Sequence, residues 1–375
     1  MIRFLNLRLL GLITLLGLFT VLLSSSFQVE AGGFPPNPTT YWNAGNLTVP
    51  GTSQGNLEHC TLESNNLKTP NNVVGFNVYT PPGYSSGSQS YPVIYLLHGV
   101  SGNEYNYFNG FSNVFSGSSG SLPGLIDSGM ANEAILVFVN GGRGSFYDDW
   151  DDSTGNGPSS DFPILAETVI MQDVIPFIDA NFRTIANRNG RAIEGFSMGA
   201  RGAMKLAFSY PDQFCSTIGY AGAAFESIPN SAGTDHPRLG DLPTEYKIST
   251  TTANNAAAIL SNGLQIRMVD GVGDGAAGQG GGFADLNVQL SNLSIPYEYE
   301  PSLAGVTAHE WAQYHQQNGA YGLNFHFACF SAASNFIPSP IILGTGDQFT
   351  YLPLVEKPDA PTPTPTRPPV SGVCE

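Results

Sequence analysis

Apolar and polar positions along the chain fall into two alternating patterns. Short, continuous apolar runs at 93–97 and 134–139 read as strands buried on both faces of a sheet. Further strands are expected at 73–80, closed by Pro81-Pro82-Gly83, and at 191–194, 216–220, 264–269 and 297–300. Helical periodicity covers 167–181, where Ile170, Val174, Phe177 and Ile178 share one side. A second helix is expected over 203–210, stopped by Pro211. The segment 221–256 reads as loop. Strand and helix in alternation predict an α/β fold, a mostly parallel central sheet with helices on both faces. In such sheets reactive groups gather beyond the carboxyl ends of the strands.

The ends differ from this middle. Arg3 and Arg8 precede an apolar run over 9–23, and Val29-Glu30-Ala31 offers a small-residue cleavage site. Residues 1–31 are therefore expected to be a secretory signal, and the mature protein to be extracellular without stable membrane association; the alternative is an N-terminal anchor. An N-terminal extension over 32–54 leads to a main domain at 55–335. A C-terminal extension at 336–356 precedes a Pro/Thr-rich, linker-like tail at 357–375, expected to be extended.

Composition narrows the class. The chain has 375 residues, 41% of them hydrophobic, so it can bury a sizeable core. Only 12% are charged, and the net charge of −16 argues against nucleic acid or an anionic membrane as partner. Cys60, Cys215, Cys329 and Cys374 fit no zinc spacing and allow two disulfides in an oxidising compartment. Cys215 is expected to pair with Cys329 or Cys60, and Cys374, beyond the Pro-rich run, to stay apart from the core.

Two Gly-x-Ser-x-Gly matches occur. Gly83 to Gly87 follows two prolines and precedes a strand, so it reads as a surface turn. Gly195-Phe196-Ser197-Met198-Gly199 lies between a strand and a helix, where a sharp turn lifts a serine hydroxyl clear. Ser197 is the candidate nucleophile. The backbone N–H of Met198, and that of Val100 in Leu97-His98-Gly99-Val100-Ser101-Gly102, are the candidate oxyanion donors; Ser101 is the weaker choice for the second. His98, at an early strand end, suits a structural role. An acid and a base should follow in the order Asp or Glu, then His. Asp274 is the chosen acid, with Asp270 as runner-up on the same strand end. His309, ahead of an expected helix, is the base. His315 would be a surface residue of that helix, and His236 part of a lid.

Three other features carry weaker chemistry. Asp148, Asp149, Asp151 and Asp152 around Trp150 could bind calcium, although a solvated face or helix cap is the ordinary reading. Tyr105, Tyr107, Phe108 and Phe111 could line an aromatic pocket. The segment 221–256 should build the acyl or alcohol pocket.

Together these pieces resemble the alpha/beta-hydrolase esterases grouped with feruloyl and acetylxylan esterases, and their relatives the S-formylglutathione hydrolases and the antigen 85 mycolyltransferases. The resemblance rests on Tyr95-Leu96-Leu97-His98-Gly99, Ser145-Phe146-Tyr147-Asp148-Asp149-Trp150, Val174-Ile175-Pro176-Phe177-Ile178-Asp179, the segment 191–199 and His309-Glu310-Trp311. It covers roughly residues 55 to 320. It implies an alpha/beta-hydrolase fold and a Ser197–Asp274–His309 triad with Met198 and Val100 as oxyanion donors. It further implies a secreted ester hydrolase without cofactor or metal, acting on feruloyl or acetyl esters of plant cell-wall polysaccharide. Acyl transfer of the mycolyltransferase type is the alternative among enzymes. A non-catalytic binding protein on the same fold is the alternative outside them. Ala200 departs from the family pattern, where a second glycine is common.

Overall fold

The computed structural model describes residues 56–66, 73–100, 102–104, 122–142, 144–149, 165–229, 240–334 and 372–374. The expected signal at 1–31, the extension at 32–54, Ser101, Trp150, Asp151, Asp152, His236 and the aromatic residues between 105 and 111 lie outside them.

A nine-stranded sheet organises these residues. Its strands are β1 (Asn56–Glu63), β2 (Val73–Thr80), β3 (Val93–Leu97), β4 (Ile135–Val139), β5 (Arg191–Phe196), β6 (Ser216–Tyr220), β9 (Gln265–Gly271), β10 (Glu298–Leu303) and β11 (Gly372–Cys374). A separate small hairpin joins β7 (Ser227–Ile228) to β8 (Gly240–Asp241). The spatial order is β10-β9-β6-β5-β3-β4-β2-β1-β11. From β10 to β4 every pairing is parallel. Beyond β4 the strands β2, β1 and β11 add in antiparallel fashion.

Alternation along the strands builds two cores. Val93, Tyr95, Leu97 and Ile193 face one side. There they meet α2 (Ala166–Val169), α3 (Ile175–Asn181), α4 (Met198–Ser209), α5 (Ile248–Asn262) and α6 (Phe283–Asn292). Ile94, Leu96, Ala192 and Phe196 face the other, against α1 (Leu122–Asp127) and α7 (Trp311–Ser334). Strands β3 to β6 are buried along their whole length; β3 and β4 are the continuous apolar runs expected of such strands, while β5 and β6 bury polar side chains as well.

The helix expected over 167–181 forms with an internal π-helical stretch, Ile170–Val174. There the Ile175 N–H reaches the Ile170 carbonyl. The wider register falls just ahead of Pro176, which has no N–H to offer the ladder.

Several expectations need correction. Helix α4 starts at Met198 rather than 203, because the small residues Gly199, Ala200, Gly202 and Ala203 show no apolar period yet are all buried. The segment expected as loop at 221–256 runs into α5, whose Thr- and Asn-rich start hides it from periodicity. Gly263 ends that helix in the left-handed region, φ 62°. Cys215 pairs with Cys329, one of its two expected partners, and Cys60 pairs with Cys374. Cys374 therefore does return to the body: Gly372–Cys374, inside the expected tail, pairs in register with β1. The segment Gly83 to Gly87 is, as expected, a turn: the Gly87 N–H donates to the Gly83 carbonyl at 3.1 Å, and Ser85 is exposed.

Candidate active site

Ser197 sits between the end of β5 and the first residue of α4. Its backbone is left-handed, φ 57° and ψ −117°, a conformation that non-glycine residues rarely hold. Crowding explains the flanking glycines. A Cβ on Gly199 would lie 2.0 Å from the Leu97 carbonyl oxygen, and one on Gly195 would lie 2.2 Å from that of Gly199. Ala200 is fully buried and its methyl is accommodated.

Three side chains converge here. His309 Nε2 lies 2.9 Å from Ser197 Oγ, and its Nδ1 lies 2.9 Å from both oxygens of Asp274. A carboxylate can only accept, so Nδ1 carries the proton and Nε2 is left free to receive one from the serine. Burial alone would raise Asp274. The hydrogen bonds and charge of His309, with the Tyr314 hydroxyl and the Ala276 N–H, outweigh it and hold the carboxyl below the usual range. The runner-up Asp270 is not part of this contact. Its Oδ2 accepts from Tyr299 at 2.9 Å. Burial, reinforced by the charge of Asp274, pushes it up to about 6.

The loop carrying His309 is shaped from α7. Gln313 Oε1 accepts the N–H groups of Thr307 at 2.7 Å and Ala308 at 3.2 Å. The Phe196 ring, inside the serine motif, stacks on Trp311 with centroids 5.8 Å apart and meets His309 at a tilt with centroids 4.5 Å apart.

Both candidate donors to a developing oxyanion are backbone groups. Met198 opens α4, where the first N–H groups have no partner within the helix. Val100 lies in a bend closed by Gly102 N–H to the Gly99 carbonyl at 3.0 Å. His98 braces that bend. Its Nε2 accepts the Gly141 N–H at 3.1 Å, its Nδ1 lies 2.8 Å from the Gly99 carbonyl, and burial lowers its pKa to about 4. Tyr147 donates to the His98 carbonyl at 3.0 Å, and the buried Glu104 accepts from Asn140 at 2.5 Å.

Two buried ionic groups escaped sequence reasoning. Asp148 is neither solvated nor a helix cap. It pairs with Arg201 at 2.9 Å and with Lys205, which also meets Glu167 at 2.7 Å. Arg201 in turn donates to the carbonyls of Phe146, Ala224 and Tyr246, pinning three loops. The other group centres on Glu194, in the strand leading to Ser197. His315 and His326 of α7 donate to it at 3.0 Å and 3.3 Å. Burial raises Glu194, but these hydrogen bonds prevail and bring it down to about 2. His315 is thus 1% exposed rather than a surface residue. Its i, i+4 relation to Trp311 places it on the sheet-facing side of α7, a signal the sequence did contain.

The segment expected to build a pocket contributes Phe225, Glu226, Ile248 and Ser249 to a cavity of about 290 Å³ against α6, but Ser197, Asp274 and His309 do not line it.

The family model described as "Putative esterase" matches residues 67–257. The chain belongs to this esterase family. An esterase of Mycobacterium tuberculosis is 35% identical over 152 residues, 40% of this chain and 29% of the relative. An endo-1,4-beta-xylanase/feruloyl esterase of Xylanibacter ruminicola is 31% identical over 167 residues, 43% of this chain and 21% of the relative. The chain thus spans less than a third of the length of these curated relatives. Among solved structures, a ferulic acid esterase superposes with a TM-score of 0.54 at 22% identity, covering 74% of this chain and 99% of that one. The fold is that of the alpha/beta hydrolases.

Proposed function

We propose that this protein is a serine ester hydrolase working through Ser197, His309 and Asp274. The observation that carries the reading is the unbroken relay from Asp274 through His309 to Ser197 Oγ, with each hydrogen bond at 2.9 Å. Ser197 attacks the ester carbonyl as His309 takes its proton. Asp274 holds the imidazole tautomer and stabilises its charged form. The N–H groups of Met198 and Val100 stabilise the tetrahedral oxyanion. His309 then protonates the departing alcohol, and water, activated by the same imidazole, releases the acyl group. Every role is taken by a group of this chain, so the reading calls for no metal or organic cofactor.

Feruloyl or acetyl groups on plant cell-wall polysaccharide are the proposed substrates, supported by the likeness to the xylanase/feruloyl esterase. The proposed location is extracellular. The N-terminal pattern of Arg3, Arg8 and the apolar run, with two disulfides in the body, supports it.

Ser197→Ala should cut turnover of p-nitrophenyl acetate by about 10⁶-fold and abolish labelling by a fluorophosphonate probe. An alanine variant that still hydrolysed the ester at near wild-type rate would sink the assignment. A panel of methyl ferulate, acetylated xylan and longer acyl esters, run with and without trehalose as acceptor, separates the substrate classes and hydrolysis from acyl transfer.

A further inference from the structure

We propose that Tyr314 is a positioning residue that sets the basicity of His309 by way of Asp274; the inference rests on the ester-hydrolase reading above. The Tyr314 hydroxyl lies 2.8 Å from Asp274 Oδ2 and 2.8 Å from the Gly271 N–H. The backbone N–H occupies a lone pair of the oxygen, so the phenolic proton is directed at the carboxylate. The ring is fully buried, with centroids 5.8 Å from Phe196 and 5.9 Å from Tyr220, and has no room to swing away. Asp274 Oδ1 is held by the N–H groups of Ala276 and Ala277 at 3.0 Å and 3.2 Å. Tyr314 supplies the matching restraint on Oδ2 and keeps both oxygens in the plane that meets the imidazole.

The surroundings assign this hydroxyl a second task. The charge of Asp274 helps raise Asp270 of β9, and each carboxylate has its own phenol: Tyr299 of β10 for Asp270, Tyr314 of α7 for Asp274. Among the described residues, the other titratable groups on this side include His309 itself, Tyr220 of β6, and beyond it His315 and Glu194. Tyr314 is raised by burial and by the Asp274 charge, so it stays a proton donor throughout the working range. Because it lies on α7, one helix both shapes the His309 loop and steadies the acid.

Removing the hydroxyl takes a donor from the carboxylate and makes Asp274 more basic. The imidazolium is then better stabilised, and His309 stays protonated to higher pH. Tyr314→Phe keeps the ring and deletes one oxygen. The measurement is kcat/KM for p-nitrophenyl acetate against pH, with active sites counted by fluorophosphonate labelling. The acid limb is expected to move up by about half to one pH unit, and kcat per labelled site to fall roughly 3- to 10-fold because the carboxylate loses the restraint that keeps it in the plane of the imidazole, a loss that outweighs the gain in basicity. Tyr314→Met, which fills the space with a flexible apolar chain, should move the limb the same way. A structural role alone would lower the melting temperature or the labelled fraction and leave the limb and the per-site rate where they were; that result in either folded variant overturns the proposal. Wild-type protein that fails to hydrolyse esters, or labelling that survives Ser197→Ala, would instead sink the ester-hydrolase reading.

Discussion

Asp270 and Asp274 are four residues apart on one strand end, and their partners separate them. Asp274 Oδ1 and Oδ2 both face His309 Nδ1, whereas Asp270 is engaged by Tyr299. Asp274→Asn should therefore cost about 10⁴-fold in kcat, since an amide can present its N–H to the ring and favour the wrong tautomer. Asp270→Asn should retain most activity and show its effect in stability. A carboxyl raised to about 6 in the folded state, against an unfolded value near ~3.9, destabilises the fold above pH ~6 and has no effect below pH ~4. The Asp270→Asn variant is expected to be more stable than wild type by roughly 1–3 kcal/mol at pH 8 and to match it at pH 3.5. Denaturant titrations at the two pH values check this, and equal stability at pH 8 would refute it. The order of Ser197, an acid and His309 along the chain made the site legible. The choice between two aspartates was not, because it depends on Tyr299 and Tyr314, contributed by distant elements.

Among the elements, α7 organises the site. Its first turns hold the His309 loop through Gln313 and the acid through Tyr314, and His315, with His326 further along the helix, holds the serine strand through Glu194. Glu194 is depressed to about 2, so its stabilising contribution is full above the unfolded value near ~4.3 and disappears as pH falls through about 2. Glu194→Ala leaves two buried imidazoles without their acceptor and should cost about 2–4 kcal/mol at pH 7. In acid titrations the gap to wild type should close as pH approaches 2. A gap independent of pH would argue that packing alone is lost. Strands β3 and β4 were legible because burial on both faces favours uninterrupted apolar runs, whereas β5 and β6 carry buried polar residues such as Glu194 and Thr217 and were legible from their short length and flanking turns. Helix α5 was not, since its Thr251 and Thr252 are buried with Thr252 bonded back to the Ile248 carbonyl, so polar letters occupy core-facing positions.

At the scale of the molecule, the two disulfides do different work. Cys215–Cys329 joins the start of β6 to the far half of α7, the helix that mounts the site. Cys60–Cys374 joins β1 to the edge strand β11, on the opposite side of the sheet order from β10. Replacing either pair by serine should cost about 2–4 kcal/mol. Only loss of Cys215–Cys329 is expected to lower kcat at 25 °C; thermal melts paired with initial rates distinguish the two, and equal kcat losses would contradict this division. Cys329 was one of two partners offered for Cys215, but the Cys60–Cys374 pairing could not be read from spacing, because contacts between residues 60 and 374 are set by how the sheet closes rather than by local pattern. The register of Cys60 with Cys374 has one more consequence. With β1 beside β11, the body from residue 56 to residue 374 is nearly a closed ring in its connectivity. A circular permutant that bridges these ends by a short flexible linker, and opens the chain at the exposed turn around Ser85, should fold and keep a reactive Ser197.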